Sequence, residues 1–199
     1  MLGILLLLIA ILILLYSLFI YILYTMNTKF GKEGIVSLLR ELDQTLSIQT
    51  QIIVCGGAAG ILVHGLERDT LDINILAGEP PVAQLSKHII SLANKHGLPE
   101  KWINDGAKGY IDYLPDDFRD RLIRLKATFK HIKVYALSRV DLIIMKLAAF
   151  RPEDIEDIVF LKPETKDIPT ITSAIDKISR FDAKTAHRIE LYLKEKGLV

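Results

Sequence analysis

The stretch GGAAGILVHGLERDTLDINIL, residues 56–76, contains the patterns that decide the fold. The apolar run QIIVC (51–55) leads directly into Gly56-Gly57, which predicts a buried strand ending in a tight turn. Backbone N–H groups in such a turn can approach a ligand closely. A short helix from Ala58 to His64 is expected to follow, so the segment predicts a strand, a glycine turn and a helix.

Polar and apolar residues alternate in LDINI (71–75), which is typical of a strand with two different faces. Two interpretations of its polar face stay open: a metal site, or an edge of the sheet that faces water. The alternation places Leu71, Ile73 and Ile75 on one face and Asp72 and Asn74 on the other.

The flanking sequence alternates further helices and strands. Ser138, with Asp141 three residues later, resembles the start of a capped helix that carries Lys146. Interleaved helices and strands predict an α/β or α+β fold, with a small mixed sheet flanked by helices. We predict helices over 33–46, 82–96 (ended by Gly97), 153–161, about 171–180 and 183–196, a strand over 131–137, and a loop between Pro163 and Pro169.

The first 24 residues contain no charged side chain and are long enough to span a bilayer as a helix. We therefore predict a transmembrane helix over 1–24 and a juxtamembrane linker over 25–32. Lys29 and Lys32 follow the span and no charge precedes it, so the positive-inside rule predicts a single-pass membrane protein whose C-terminal domain is cytoplasmic.

A second interpretation of this leader stays open. Met26 opens MNTKFGKEGIVSLL, which is a natural beginning for a cytoplasmic protein. In that case the apolar leader comes from a wrongly chosen start codon, and residues 1–24 are never made. In either case we expect one domain over 33–165 and C-terminal helices over 166–199.

Composition excludes several classes of site. The formal net charge is +1, so no overall basic character indicates a nucleic-acid-binding protein. Cys55 is the only cysteine, which excludes an internal disulfide and a cysteine-based zinc site.

The motif of residues 56–76 resembles the opening motif of the nucleotidyltransferase superfamily, in particular its minimal AbiEii-like and DUF6036-like branches. The shared pattern is Gly-Gly, a short helix, His-Gly, and then Arg-x-Thr-x-Asp-x-Asp. WINDGAKGYIDYLP and VYALSRVDLIIMKLAAFRPEDIEDI are similar to the same branch. The resemblance covers roughly residues 33–165.

This resemblance implies a set of site residues. The glycine turn would hold nucleotide phosphates, and carboxylates on the next strand would bind the Mg²⁺ that bridges the triphosphate. By position, the implied nucleotide-binding residues are Gly56, Gly57, Arg68, Thr70 and Lys146; the metal ligands are Asp72 and Asn74; and the catalytic residues are Asp72, Lys146 and Asp157, with Asp154 competing for the place of Asp157.

Each of these residues also has a purely structural interpretation. Gly56-Gly57 would serve as a turn without a ligand, and Lys146 would extend from an apolar helix to solvent. Asp154 and Asp157 would stabilise the dipole of their own helix.

The sequence departs from the family pattern at Asn74, where aspartate is expected. An amide oxygen can bind Mg²⁺, but it brings no negative charge and holds the ion more weakly. Two functions therefore stay open. The first is transfer of a nucleoside monophosphate from an NTP to an RNA or protein hydroxyl, in a toxin-like protein paired with an antitoxin. The alternative is a catalytically degenerate module that binds a nucleotide or a partner, tethered to the membrane through residues 1–24.

Overall fold

The structure of the protein, a computed structural model, describes residues 11–17 and 29–199. Residues 11–17 are helical and are called α1 here. The rest of the predicted membrane span, and residues 25–28 of the predicted linker, lie outside the described residues. Among the residues that are described, no helix combines the length and the apolar character needed to cross a bilayer.

The described residues form a mixed α/β fold in which helices flank one five-stranded sheet, as the sequence predicted. The strands are β1 (Thr50–Cys55), β2 (Ile73–Glu79), β3 (Ile103–Asn104), β4 (Ile123–Arg124) and β5 (Ile132–Ala136). The further helices are α2 (Lys32–Thr45), α3 (Gly56–Val63), α4 (Ser86–His96), α5 (Arg139–Ala149), α6 (Pro152–Leu161), α7 (Ile168–Ile178) and α8 (Ala183–Glu195).

The sheet has the strand order β3-β2-β1-β5-β4, with β1 at its centre. Strand β1 runs antiparallel to β2 and parallel to β5, while β2 and β3 are parallel and β4 and β5 are antiparallel. All but one of the side chains of β1 are buried, which explains why its sequence is a continuous apolar run. The sheet is therefore mixed, and its central strand leads directly to the glycine turn.

Strand β2 differs from its prediction at both ends. Leu71 was expected on the buried face, but it precedes the strand and its side chain is 45% exposed. The strand also continues past residue 75, because Gly78 and Glu79 still pair with β1 after a bulge between Ile53 and Val54. The strand ends at Pro80, which has no N–H to donate to the ladder.

The helix after β5 begins as predicted. Ser138 caps α5, because its hydroxyl oxygen accepts a hydrogen bond from the backbone N–H of Asp141 at 3.3 Å. Phe150 ends the helix in the left-handed conformation with a φ of 55°, and Pro152 occupies the first turn of α6. This tight connection sets α5 and α6 side by side, which brings Lys146 close to two aspartates of α6.

Two other boundaries were predicted less well. The segment expected as one helix from residue 82 begins as a 3-10 helix over Val82–Leu85, and α4 follows it and ends at Gly97 as predicted. The loop expected between Pro163 and Pro169 is shorter, because Pro169 lies in the first turn of α7. Proline suits that position, since the first N–H groups of a helix have no partner within the helix.

Candidate functional site

The predicted site residues surround one cavity of about 480 Å³ between the glycine turn, the start of β2 and the α5–α6 pair. Asp157 is the exception, since it lies behind Lys146 and does not line the cavity. The predicted residues that line it are Gly56, Gly57, Arg68, Thr70, Asp72, Asn74 and Lys146, and Asp154, the alternative to Asp157, lines it as well.

Strand β1 ends at Cys55 and α3 begins at Gly56, so the two glycines form the first turn of the helix, which was expected to begin at Ala58. Gly56 has a φ of +62°, in the left-handed region that favours glycine. Gly57 is required for a different reason, because a Cβ at this position would lie only 2.9 Å from Nη2 of Arg68. The second glycine therefore makes room for a guanidinium group at the beginning of the helix.

The Asp72 carboxylate is held between two amide side chains. Oδ1 accepts a hydrogen bond from Nδ2 of Asn74 at 3.0 Å, and Oδ2 accepts one from Nδ2 of Asn104 at 3.1 Å. Asn104 is fixed in this orientation, because its Oδ1 accepts from Gly106 N–H and its Nδ2 also donates to the carbonyl of Lys101. Asp72 is thus oriented by N–H donors that carry no charge.

Asp72 and Asn74 could ligate one metal ion, but only together with ligands that do not come from the protein. Across residues 11–17 and 29–199, no three His, Cys, Asp or Glu side chains are arranged to hold a metal ion. Mg²⁺ in nucleotide-dependent enzymes is commonly held by one or two carboxylates together with substrate phosphates. Asp72 could therefore ligate an ion that arrives with the nucleotide. Asn74 could add its amide oxygen if the amide flips, because its nitrogen is the atom that now faces Asp72.

Five charged side chains form a continuous ion-pair chain, and all of them except Asp157 line the cavity. Asp157 accepts two hydrogen bonds from Arg68, at 2.9 and 2.7 Å, and its Oδ2 lies 2.5 Å from Nζ of Lys146. Lys146 also donates to Asp154 at 3.0 Å, and Arg151 donates to Asp154 at 2.8 Å. Lys146, Asp154 and Asp157 are at most 3% exposed. Lys146 therefore contacts both carboxylates and does not extend to solvent.

The ion pairs account for the direction of the pKa shifts in this chain. Burial opposes the charged form of Asp154, but hydrogen bonds from Arg151 and Lys146 outweigh burial and lower the pKa of its carboxyl. The hydrogen bond to Asp157 raises the pKa of Arg68 against the effect of burial. Both directions favour the ionised forms of Asp154 and Arg68.

Two other polar residues of the motif face the interior and not the cavity. Cys55 is fully buried; burial first, and then the negative charge of Asp72, raises the pKa of its thiol to about 12. His64 has its Nε2 2.9 Å from the carbonyl of Leu137, and burial lowers the pKa of its ring. These environments give both residues structural roles.

Sequence reasoning missed Asn104 and Arg151. Asn104 lies in the WINDG segment, which was noted only for its similarity to the family, and the two-residue strand that carries it is too short to show periodicity. Trp102, in the same segment, is fully buried. Arg151 was not among the predicted site residues. Its position three residues before Asp154 was the available signal for their contact.

Comparison with known proteins places the chain in a family. A family model described as "Nucleotidyltransferase of unknown function (DUF6036)" matches residues 33–163, which include the glycine turn, β2 and both helices of the ion-pair chain. No curated protein and no solved structure matches the chain.

Proposed function

Because the chain belongs to the DUF6036 family of nucleotidyltransferases of unknown function, as its sequence resemblance predicted, we propose that it is a Mg²⁺-dependent enzyme. The proposed reaction transfers a nucleoside monophosphate from an NTP to a hydroxyl group of RNA or protein. One observation carries this proposal: the Gly56-Gly57 turn and the Asp72 carboxylate line the same cavity of about 480 Å³. Ligand pockets for small molecules are commonly of this size.

The triphosphate is proposed to lie against the glycine turn, because Gly56 and Gly57, the first residues of α3, line the cavity. The N–H groups at the start of a helix have no partner within it and favour anions. Arg68 lies beside Gly57 and would add a positive charge there, although Asp157 already shares that charge. Lys146 would contact the nucleotide through the one ammonium N–H that Asp154 and Asp157 leave free.

The charge of the cavity supports the need for a metal ion. Its lining holds four basic side chains, Lys29, Arg68, Lys146 and Arg151, and four acidic ones, Asp69, Asp72, Glu153 and Asp154. These formal charges cancel, so the protein alone offers no excess positive charge to a triphosphate. Mg²⁺ held by Asp72 and Asn74 would neutralise the phosphates and polarise the reacting phosphorus centre.

The test measures transfer of label from each α-labelled NTP to total RNA and to protein acceptors, with and without MgCl₂. Asp72→Ala is expected to reduce transfer by about two orders of magnitude or more, since it removes the only carboxylate of the predicted metal ligands. Asp176→Ala removes an exposed carboxylate on α7 and is expected to transfer label like the wild type. Equal transfer by both variants would contradict the proposed role of Asp72.

A second function, nucleotide binding without turnover, is favoured by the amides on both sides of Asp72. Asn74 and Asn104 each donate a hydrogen bond to this carboxylate, where a second carboxylate would strengthen metal binding. The Asn74→Asp variant separates the two functions. If only this variant transfers label, while the wild type binds NTP in a calorimeter, the wild-type protein is a nucleotide-binding protein that has lost catalytic activity.

We propose two further properties from the sequence. Residues 1–24 would tether the domain to the membrane with residues 25–199 in the cytoplasm, and the protein would act as a toxin with a cognate antitoxin. Mass spectrometry of the mature N-terminus distinguishes a chain that begins at Met1 from a cytoplasmic protein that begins at Met26. Growth arrest on expression, abolished by Asp72→Ala, would support the toxin role.

A further inference from the structure

A second cavity, of about 700 Å³, lies on the other side of Asp72. It is bounded by the 3-10 segment before α4, the first turns of α4, and the loop that leads into β3. Leu71, Asp72 and Gly106 line both cavities, so the Asp72 carboxylate stands where the two meet. A molecule in the second cavity can therefore reach the carboxylate from the side opposite the glycine turn.

The lining of the second cavity is mainly apolar. Val82, Ile89, Pro99 and Ile103 contribute apolar surface, and Ile90 adds a side chain that is 38% exposed at the rim. Cavities of this size with an apolar wall and a few polar groups are typical of ligand sites. Among the residues that the structure describes, Asp72, the proposed metal ligand, is the one charged residue that lines both cavities.

The charge of this lining is unfavourable for a nucleic acid. Asp72, Glu100 and Asp105 are acidic, while Lys101 is the one basic residue that lines the cavity. Proteins that bind RNA or DNA neutralise several backbone phosphates with lysine and arginine. The lining therefore favours an acceptor molecule that has apolar surface around its hydroxyl group and is either uncharged or cationic.

A short strand beside the cavity adds a feature that suits an extended peptide. Ile103 and Asn104 form β3, which is an edge strand of the sheet, and both residues line the cavity. Edge strands can pair with an added strand of another chain, while neighbouring pockets receive alternate side chains. A peptide laid along this edge would place its side chains in the apolar hollow.

We propose that the second cavity is the acceptor site and that the acceptor is a serine, threonine or tyrosine side chain in an apolar protein segment. This inference rests on the proposed nucleotidyltransferase function. In the reaction, the hydroxyl oxygen forms a bond to the α-phosphorus of the NTP, and the bond from that phosphorus to the bridging oxygen of the β-phosphate breaks. Pyrophosphate leaves with the electron pair, and the hydroxyl proton is released to water.

The experiment supplies the full-length chain with α-labelled NTPs, MgCl₂ and two acceptors in separate reactions. One acceptor is a mixture of synthetic peptides with a central Ser, Thr or Tyr between apolar residues, and the other is total RNA. We expect label on the peptides and none when the central residue is Ala. Label on RNA but not on the peptides would overturn the inference and leave the proposed function standing.

Two isoleucines of equal exposure provide a matched pair of variants. Ile90 and Ile123 are each 38% exposed, but Ile90 lines the second cavity while Ile123 lies in β4 at the opposite edge of the sheet. Ile90→Asp is expected to lower peptide labelling about tenfold, since it places a charge where apolar side chains bind. Ile123→Asp is expected to label peptides like the wild type.

A second substitution and a binding measurement keep the result interpretable if Ile90→Asp folds poorly. Ala83→Lys places a long cationic side chain at an exposed position on the cavity wall, and it is expected to lower peptide labelling without weakening NTP binding in a calorimeter. Peptide labelling that is unchanged in both cavity variants would overturn the acceptor site. NTP binding without transfer to any acceptor would remove the proposed function itself.

Discussion

Arg68 and Asp157, which are 89 residues apart in the chain, form a two-point ion pair beside Gly57. The Asp157 carboxylate also contacts Lys146 and is only 1% exposed. Asp157 does not line the cavity, but it binds Arg68 and Lys146, which do. Its predicted catalytic role stays a prediction, and its contacts support a positioning role.

Replacing Asp157 with asparagine is expected to lower the free energy of unfolding by about 3 kcal/mol, because it leaves two cations without a shared buried partner. Arg68→Ala is expected to cost less, about 1 kcal/mol, since the Arg68 side chain is 36% exposed and Lys146 still neutralises Asp157. Urea denaturation measures both values. Unchanged stability in Asp157→Asn together with lost transfer would instead assign Asp157 to the chemistry.

Gly57→Ala is expected to cost about 2 kcal/mol of stability, because the new Cβ would lie 2.9 Å from a guanidinium held by two hydrogen bonds. In an Arg68→Ala background the collision is absent, and the same substitution is expected to be neutral or slightly stabilising, since alanine suits a helix. Urea denaturation of the four proteins gives the coupling between the two positions.

Gly56→Ala is the matched control for this cycle. Its cost, about 1 kcal/mol, comes from the left-handed backbone and not from a neighbour, because the nearest atom to a Cβ there is 3.8 Å away on Asn74. We therefore expect the same cost with and without the Arg68 side chain. A cost of Gly57→Ala that is equally independent of Arg68 would contradict the proposed collision.

Asn74→Asp is expected to make stability depend on Mg²⁺. The Asn74 amide nitrogen is 3.0 Å from Oδ1 of Asp72, so the variant places two carboxylates together and loses about 1 kcal/mol in the presence of EDTA. Mg²⁺ binds the folded form of this pair and is expected to raise the melting temperature well above the small rise in the wild type. Adding Asp72→Asn to the Asn74→Asp variant leaves a single carboxylate, and it should remove this rise in melting temperature.

Local patterns in the sequence predicted most of the elements around the site. The apolar residues at helical spacing in 33–46 predicted α2, and the strand before Gly56 was predicted to within one residue. Both are long enough for their hydrophobic periodicity to be recognised. The glycine turn and Asp72 were expected to meet in one hollow, and both line the same cavity.

Contacts between distant segments could not be predicted in this way. The hydrogen bond from Asn104 to Asp72 depends on a two-residue strand, which shows no alternation. The partners of Asp157 depend on how α6 packs against α5 and on where the chain before β2 passes. Side-chain periodicity reports the buried face of one element, whereas such contacts depend on the arrangement of several elements.

The Asp43 carboxylate joins α2 to the start of β5, and we expect its replacement by asparagine to cost about 2 kcal/mol at neutral pH. Oδ2 accepts a hydrogen bond from the Lys130 N–H at 2.8 Å, and Oδ1 accepts from His131 and Ile132 at 2.6 and 2.8 Å. The asparagine amide has only one acceptor oxygen. Its NH₂ group would therefore face at least one of these backbone N–H donors.

The cost of Asp43→Asn is also expected to depend on pH. Burial raises the pKa of Asp43, but the three backbone N–H groups outweigh burial, and its pKa in the fold lies below the usual value. The stabilisation is therefore complete above about pH 4, the unfolded value, and is lost as pH falls through the folded pKa. Urea denaturation over this range should show that the difference in the free energy of unfolding between wild type and variant shrinks as the pH falls.

Asp176→Asn, the same change at an exposed position, should stay within about 0.5 kcal/mol of the wild type at every pH. A difference for Asp43→Asn that does not change with pH would contradict the assigned role of its charge.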